Sequence, residues 1–154
     1  EISCSLVGSE MCIRDRKYTN DPDDPVILEE YCDFLKEYLS QGFMEKQMEQ
    51  IYRNQYTQLL LKQLEQKVNL HTCVCLMENL MVQRDFFLAE KILKIMDQNW
   101  HRGEEYWIWK IRYLAERKMG KELKQSLQAL KEEHIYLSSR GKEALGFWLD
   151  GSKK

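Results

Sequence analysis

Three groups of residues carry side chains that could do chemistry. His71, Cys73 and Cys75 form H-x-C-x-C, whose imidazole and thiolates suit a zinc ion. On a strand all three would leave one face, whereas on a helix a two-residue step turns about 200° and parts Cys73 from Cys75. No fourth ligand stands nearby, so these are expected to be small packing residues, and no metal is assigned. Trp100, Tyr106, Trp107, Trp109 and Tyr113 gather in one short stretch that could stack a sugar, a base or a peptide side chain. Ile108 and Ile111 claim the core face of that stretch, so the rings are expected to wedge helices together. Any ring left exposed among the five is a candidate partner-binding residue. Arg112, Arg117, Lys118, Lys121 and Lys124 form a basic cluster that suits either phosphates or a solvated helix face.

Catalytic patterns are missing from the sequence. His71, His101 and His134 have no Ser or Cys partner at motif spacing, and no Gly-rich loop could cradle a phosphate. No catalytic residue, no cofactor and no enzymatic activity is expected of the residues present. A formal net charge of −2 over 154 residues favours neither nucleic acid nor a membrane surface. No apolar run approaches the ~20 residues needed to span a bilayer. Cys4 and Cys12 apart, the remaining Cys32, Cys73 and Cys75 do not resemble a disulfide framework, so a reducing cytoplasm is the expected compartment.

The elements that must position these groups are helices. Leu, Met, Lys, Glu and Gln are abundant, and proline occurs only at Pro22 and Pro25. Asp24 and Pro25 open a first helix with Leu28, Tyr31, Leu35 and Leu39 on one face, stopped at Gly42. A second, over about 43–67, carries Met44, Met48, Ile51, Tyr52, Tyr56, Leu59, Leu60 and Leu64 at the helical period. A third spans 70–83 and a fourth 86–98. Residues 104–138 read as two helices with a break at 118–121, each bearing one apolar stripe. Stripes joined by so short a break hide from water against each other, which makes an antiparallel hairpin with Gly120 expected at its left-handed turn. A seventh helix over 139–150 ends the fold, and 151–154 is a polar tail.

The segment Ser5 to Arg16 resembles translated adapter DNA from transposase-based sequencing libraries, read in frame from Leu6 to Asp15. Residues 1–16 are therefore expected to be a scar that is not native, and to pack poorly. Without Glu1, Glu10 and Asp15 among the acids and Arg14 and Arg16 among the bases, the formal charge changes by one, from −2 to −1. Residues 17–24 read as a linker or frayed terminus, and 25–150 as the domain.

Sliding the chain by 35 residues places Cys73 on Ile108, Val74 on Trp109, Leu76 on Ile111, Leu88 on Leu123, Ile92 on Leu127 and Ile95 on Leu130. A period near 34 belongs to helix-turn-helix solenoids. In that period and in the Trp109 to Gly120 spacing, residues 70–149 resemble the tetratricopeptide family. Glu116 and Gln125 stand where the family has Tyr and Ala, and no Pro closes either repeat. The resemblance implies an all-α solenoid of about seven helices in antiparallel hairpins, with 139–149 as a solvating end helix. A second, shorter resemblance joins the basic cluster to IYLSSRGKEALGFW, similar to the end of a winged-helix regulator, where a strand leads into a helix. It implies that residues 121–134 lie in a DNA major groove, against which Glu122, Glu132 and Glu133 argue.

The expected function is that of a protein-interaction or accessory helical-repeat domain, the C-terminal fragment of a larger bacterial protein. Its expected partner is a protein, a peptide or an upstream domain of the same chain. The alternatives are an accessory helical segment of an enzyme such as a glycosyltransferase with its catalytic domain upstream, and a winged-helix-like DNA-binding regulator.

Overall fold

The computed structural model describes residues 6–151, and every regular element among them is an α-helix. The described residues form an all-α array divided into two compact units, Glu1–Thr72 and Cys73–Lys154. No helix among the described residues is long and apolar enough to cross a membrane.

In the first unit α1 (Leu6–Asn20) packs on α2 (Pro25–Ser40), and α2 on α3 (Lys46–Gln66). Asp24 caps α2 by accepting the N–H groups of Val26 at 2.9 Å and Ile27 at 3.4 Å, and Pro25 fills the first helical position, where no N–H is needed. Leu28, Tyr31, Cys32, Leu35 and Leu39 are buried at steps of three and four. From α3 they meet Tyr52, Tyr56, Leu59, Leu60 and Leu64. Gly42 takes a left-handed φ of 70° after α2, as expected of a helix stop. Helix α3 starts later than the apolar pattern suggests, and Ile51 is exposed and outside the buried stripe.

The adapter-like residues do not lie apart from this unit. Met11 is only 4% exposed, Arg14 sits 5.1 Å from the centre of the Phe34 ring, and the Tyr31 hydroxyl donates to Asp15 at 3.4 Å. Residues 17–20 continue α1. Residues 1–5 of the adapter-like segment and 152–154 of the polar tail lie outside the described residues.

The second unit comprises α4 (Leu70–Gln83) from Cys73 on, α5 (Phe86–Trp100), α6 (Glu104–Glu116), α7 (Gly120–Glu132) and α8 (Ser139–Gly151). Helix α6 is its hub, in close contact with α5, α7 and α8. Three helices end in the same way. Arg84, Lys118 and His134 follow α4, α6 and α7 with left-handed φ of 58°, 55° and 52°. Each returns its N–H to the carbonyl three residues back, on Met81, Ala115 and Lys131. The next residue returns its N–H to the carbonyl five back, on Leu80, Leu114 and Leu130 at 3.0, 3.0 and 3.3 Å. These are Schellman ends, which satisfy carbonyls the helix leaves open. The left-handed residue of the α6–α7 turn is thus Lys118, and Gly120 is the first residue of α7 with open space where a Cβ would sit.

The spacing of these elements also corrects the register. Helices α4 and α6 start at 70 and 104, and α5 and α7 at 86 and 120, a step of 34 in both cases. At that step buried positions coincide: Cys73 with Trp107, Cys75 with Trp109, Met77 with Ile111, Leu80 with Leu114, Leu93 with Leu127 and Met96 with Leu130. The 35-residue slide aligns apolar letters but places buried Met77 on half-buried Arg112. Because Lys118 holds a Cβ in the left-handed region, Lys118→Gly is expected to raise the urea midpoint, by on the order of 1 kcal/mol of stability. Gly120→Ala, now inside a helix with free space, should hold or raise it. A lower midpoint for both variants would contradict this turn.

Candidate functional site

The aromatic group around α6 is built into the second unit and does not form a platform on its surface. Trp107 is 1% exposed and its Nε1–H donates to the His101 carbonyl at 2.7 Å, locking the helix to the loop before it. Tyr106, Trp109 and Tyr113 are also buried, and Trp100 is half-buried. Tyr106 and Trp107 meet edge to face at 5.3 Å between ring centres, and Lys110 lies over both at 5.5 and 5.3 Å. Arg112 covers Trp109 at 5.0 Å. Tyr113 meets Phe86 of α5 edge to face at 6.0 Å. With their faces taken by neighbours, these rings supply packing and quadrupole contacts to cations inside the fold.

A polar cluster beside them has no counterpart among the sequence motifs. His101 follows the last turn of α5, where its Nδ1 lies 2.5 Å from Asp97 Oδ1 and its Nε2 lies 2.6 Å from Glu133 Oε1 at the end of α7. Arg102 donates to the Glu133 carbonyl at 3.0 Å. The ring also packs on Tyr106 and Trp107, at 5.7 and 5.4 Å between centres. The hydrogen bonds from Glu133 and Asp97 raise the His101 pKa, outweighing the effect of burial. Burial, with the charges of Asp97 and Glu133, pushes the Tyr106 hydroxyl up to about 12. The Asp97 to His101 step of four is a signal the sequence does contain, since such pairs share a helix face. Nothing local points to Glu133.

A second polar junction ties α6 to α8. Glu104 accepts the Ser138 N–H at 2.8 Å and its hydroxyl at 2.9 Å, and the Ser138 oxygen accepts the Gly141 N–H at 3.2 Å, capping α8. Arg140 binds Glu105 and lies 3.6 Å from Glu104. The Ser138 N–H, then the Ser138 hydroxyl and Arg140, hold the Glu104 pKa below its usual value against the opposing effect of burial. A depressed carboxyl stabilises the fold above its unfolded pKa, and that contribution is lost as pH falls through the folded value. A Cβ at Gly141 would stand 2.3 Å from Glu104 Oε1, so the carboxylate would have to move off Ser138 to admit it. Gly141→Ala is therefore expected to displace Glu104 and cost about 1 kcal/mol net, the lost hydrogen bonds exceeding the gain in helix propensity. In a Glu104→Ala background the same substitution should be neutral or stabilising, a coupling that urea unfolding of the four proteins measures.

The remaining sequence candidates are dispersed. His71 is exposed on α4 while Cys73 and Cys75 are buried, and burial pushes the Cys73 thiol up to about 11, away from the thiolate a metal needs. Among the described residues no group of three His, Cys, Asp or Glu could hold a metal ion. The basic cluster splits: Arg112 covers Trp109, and Arg117 lies over Phe86 and Tyr113 and donates to the Tyr113 hydroxyl. Lys118, Lys121 and Lys124 are exposed. The stretch 135–138 forms no strand before α8, so the strand-to-helix order of a winged-helix regulator is not present. Helix α8 exposes Phe147 and buries Leu145.

The edge where the α4–α5 and α6–α7 turns lie is both aromatic and charged. Arg84 pairs with Glu116 at 3.1 Å and lies 4.9 Å from the centre of Phe86, which Arg117 approaches to 5.3 Å. The next residue, Phe87, is 72% exposed, with Lys91 4.4 Å from its centre. Comparison with known proteins finds no matching family model, no matching curated protein and no matching solved structure.

Proposed function

We propose that this chain is a protein-interaction domain, a short helical-repeat array of the kind seen in tetratricopeptide proteins. The repeat reading is supported by the 34-residue step between α4 and α6 and between α5 and α7, with buried positions and Schellman ends in register. It is the second unit to which this applies.

The observation that carries the interaction reading is Phe87. A phenyl ring left in water at the start of a helix, beside a neighbour that is packed, contributes nothing to the core and suits an aromatic anchor for a partner. Asp85 is used as the cap of α5, accepting the Leu88 N–H, and Glu116 is paired with Arg84. Lys91, Arg117, Lys118 and Lys121 are exposed in this stretch and outnumber the exposed Glu90 and Glu122. A partner segment with an apolar side chain for Phe87 and acidic flanks fits that edge.

Titration of the whole chain with a short fluorescent peptide of Leu, Asp and Glu tests this. Binding is expected to weaken with salt, and Phe87→Ser should reduce it by about tenfold, the scale of one hot-spot residue. Tyr136→Ser, at another exposed ring, should leave it unchanged. Duplex DNA should bind no tighter than the ~10⁻⁴ to 10⁻⁶ M non-specific range at physiological salt. Nanomolar duplex binding abolished by Lys121→Glu with Lys124→Glu, or peptide binding indifferent to Phe87→Ser, would overturn the proposal.

A further inference from the structure

A neutral imidazole has one N–H donor and one lone pair. His101 presents both ring nitrogens to carboxylates, Asp97 on α5 at 2.5 Å and Glu133 beyond α7 at 2.6 Å. Two acceptors of negative charge, one on each nitrogen, are satisfied together only by the imidazolium, which donates to both. Removing either proton leaves a lone pair facing a carboxylate and takes away the positive charge that keeps Asp97 and Glu133 close.

We propose that the Asp97–His101–Glu133 contact is a pH-sensitive clasp, joining the ends of α5 and α7 while the imidazole carries both protons and releasing Glu133 when one is lost. The ring is 40% exposed at its side chain, so a proton can leave to solvent without unfolding. The groups around it come from every neighbouring element. Asp97 is on α5, Arg102 lies in the loop and grips the Glu133 carbonyl, and the Tyr106 ring lies beside His101 on α6. Lys110 of α6 stands over Tyr106 and Trp107, and the Glu133 carboxylate closes the set. Lys110 and Arg102 oppose the charged ring, while Asp97 and Glu133 contact it directly and favour it. Geometry thus gives the carboxylates the larger effect, in the same direction as the raised pKa of His101.

The clasp matters because its two ends flank α6, the helix that α5 and α7 both touch. Release would leave the loop tied to Glu133 through Arg102 and to α6 through the Trp107 bond to the His101 carbonyl, without the ion pair. For a histidine with a raised folded pKa, the stabilisation is fully present below the unfolded value of about 6.5 and is lost as pH rises through the folded value. This inference is independent of the partner proposed above, since it concerns the unbound chain.

The experiment is a proton-NMR titration of the three histidine rings in the full chain, assigned through His71→Gln, His101→Gln and His134→Gln. His101 is expected to titrate above the ~6.5 reference, and Asp97→Asn and Glu133→Gln should each bring it back towards that value. The backbone amides of Glu133 and His134 should shift with the midpoint of His101. Thermal melts across the same range should show wild type losing roughly 1 to 4 °C as His101 deprotonates, a step absent in His101→Gln. A His101 midpoint at or below the reference, or amides of Glu133 and His134 that ignore it, would overturn the clasp.

Discussion

The second unit depends on a single constraint, the burial of α6 around most of its circumference. Tyr106, Trp107, Ile108, Trp109, Ile111, Tyr113 and Leu114 are all buried, so one apolar stripe does not describe this helix. A helix apolar on most sides needs neighbours on most sides. Helices α5, α7 and α8 fill that role, and the hydrophobic effect fixes their placement around it. The large rings also explain why the polar atoms there are so fully engaged. Trp107 Nε1 finds a carbonyl, the Tyr113 hydroxyl accepts from Arg117, and Lys110 and Arg112 lie along ring faces. Trp109 Nε1 is the exception, buried without a partner among the described residues.

Polar contacts then set the angles and ends that burial leaves loose. Schellman turns close α4, α6 and α7 with charged or polar residues in the left-handed region, although glycine would be more comfortable there. The Glu104 to Ser138 junction fixes where α8 begins, and the His101 cluster ties the end of α5 to the end of α7. The Glu104–Ser138 and His101–Glu133 bonds join residues 34 and 32 positions apart, so these two act on tertiary placement and not on local helix formation. The exposed rings, Phe87 and Phe147 among them, fall outside all of these tasks.

Much of the helical layout was readable from residue order, since period, caps and breakers are local. The bounds 70–83 coincide with α4, Asp24 and Pro25 open α2 as their chemistry requires, and Gly42 stops it. The turn between α6 and α7 was misread by two residues because glycine is the usual left-handed residue, whereas Lys118 is held there by the hydrogen bonds of the Schellman end. The internal step read as 35 aligns apolar letters, whereas the helix starts are 34 apart and Met77 then meets buried Ile111 instead of half-buried Arg112. Packing of the adapter-like segment was also not legible, because a helix of weak amphipathic pattern can still bury one side chain, here Met11.

For the candidate site the division is sharper. Sequence alone determined that the chain is helical and that Trp100, Tyr106, Trp107, Trp109 and Tyr113 gather in one stretch, because each follows from composition or position along the chain. Tertiary structure decided which of those rings meet water, and it chose Phe87 over Trp107, since exposure depends on how many neighbouring helices surround an element. It also brought Glu133 to the far nitrogen of His101. A contact between residues 101 and 133 has no signature in either local pattern; it exists because α5 and α7 both pack on α6.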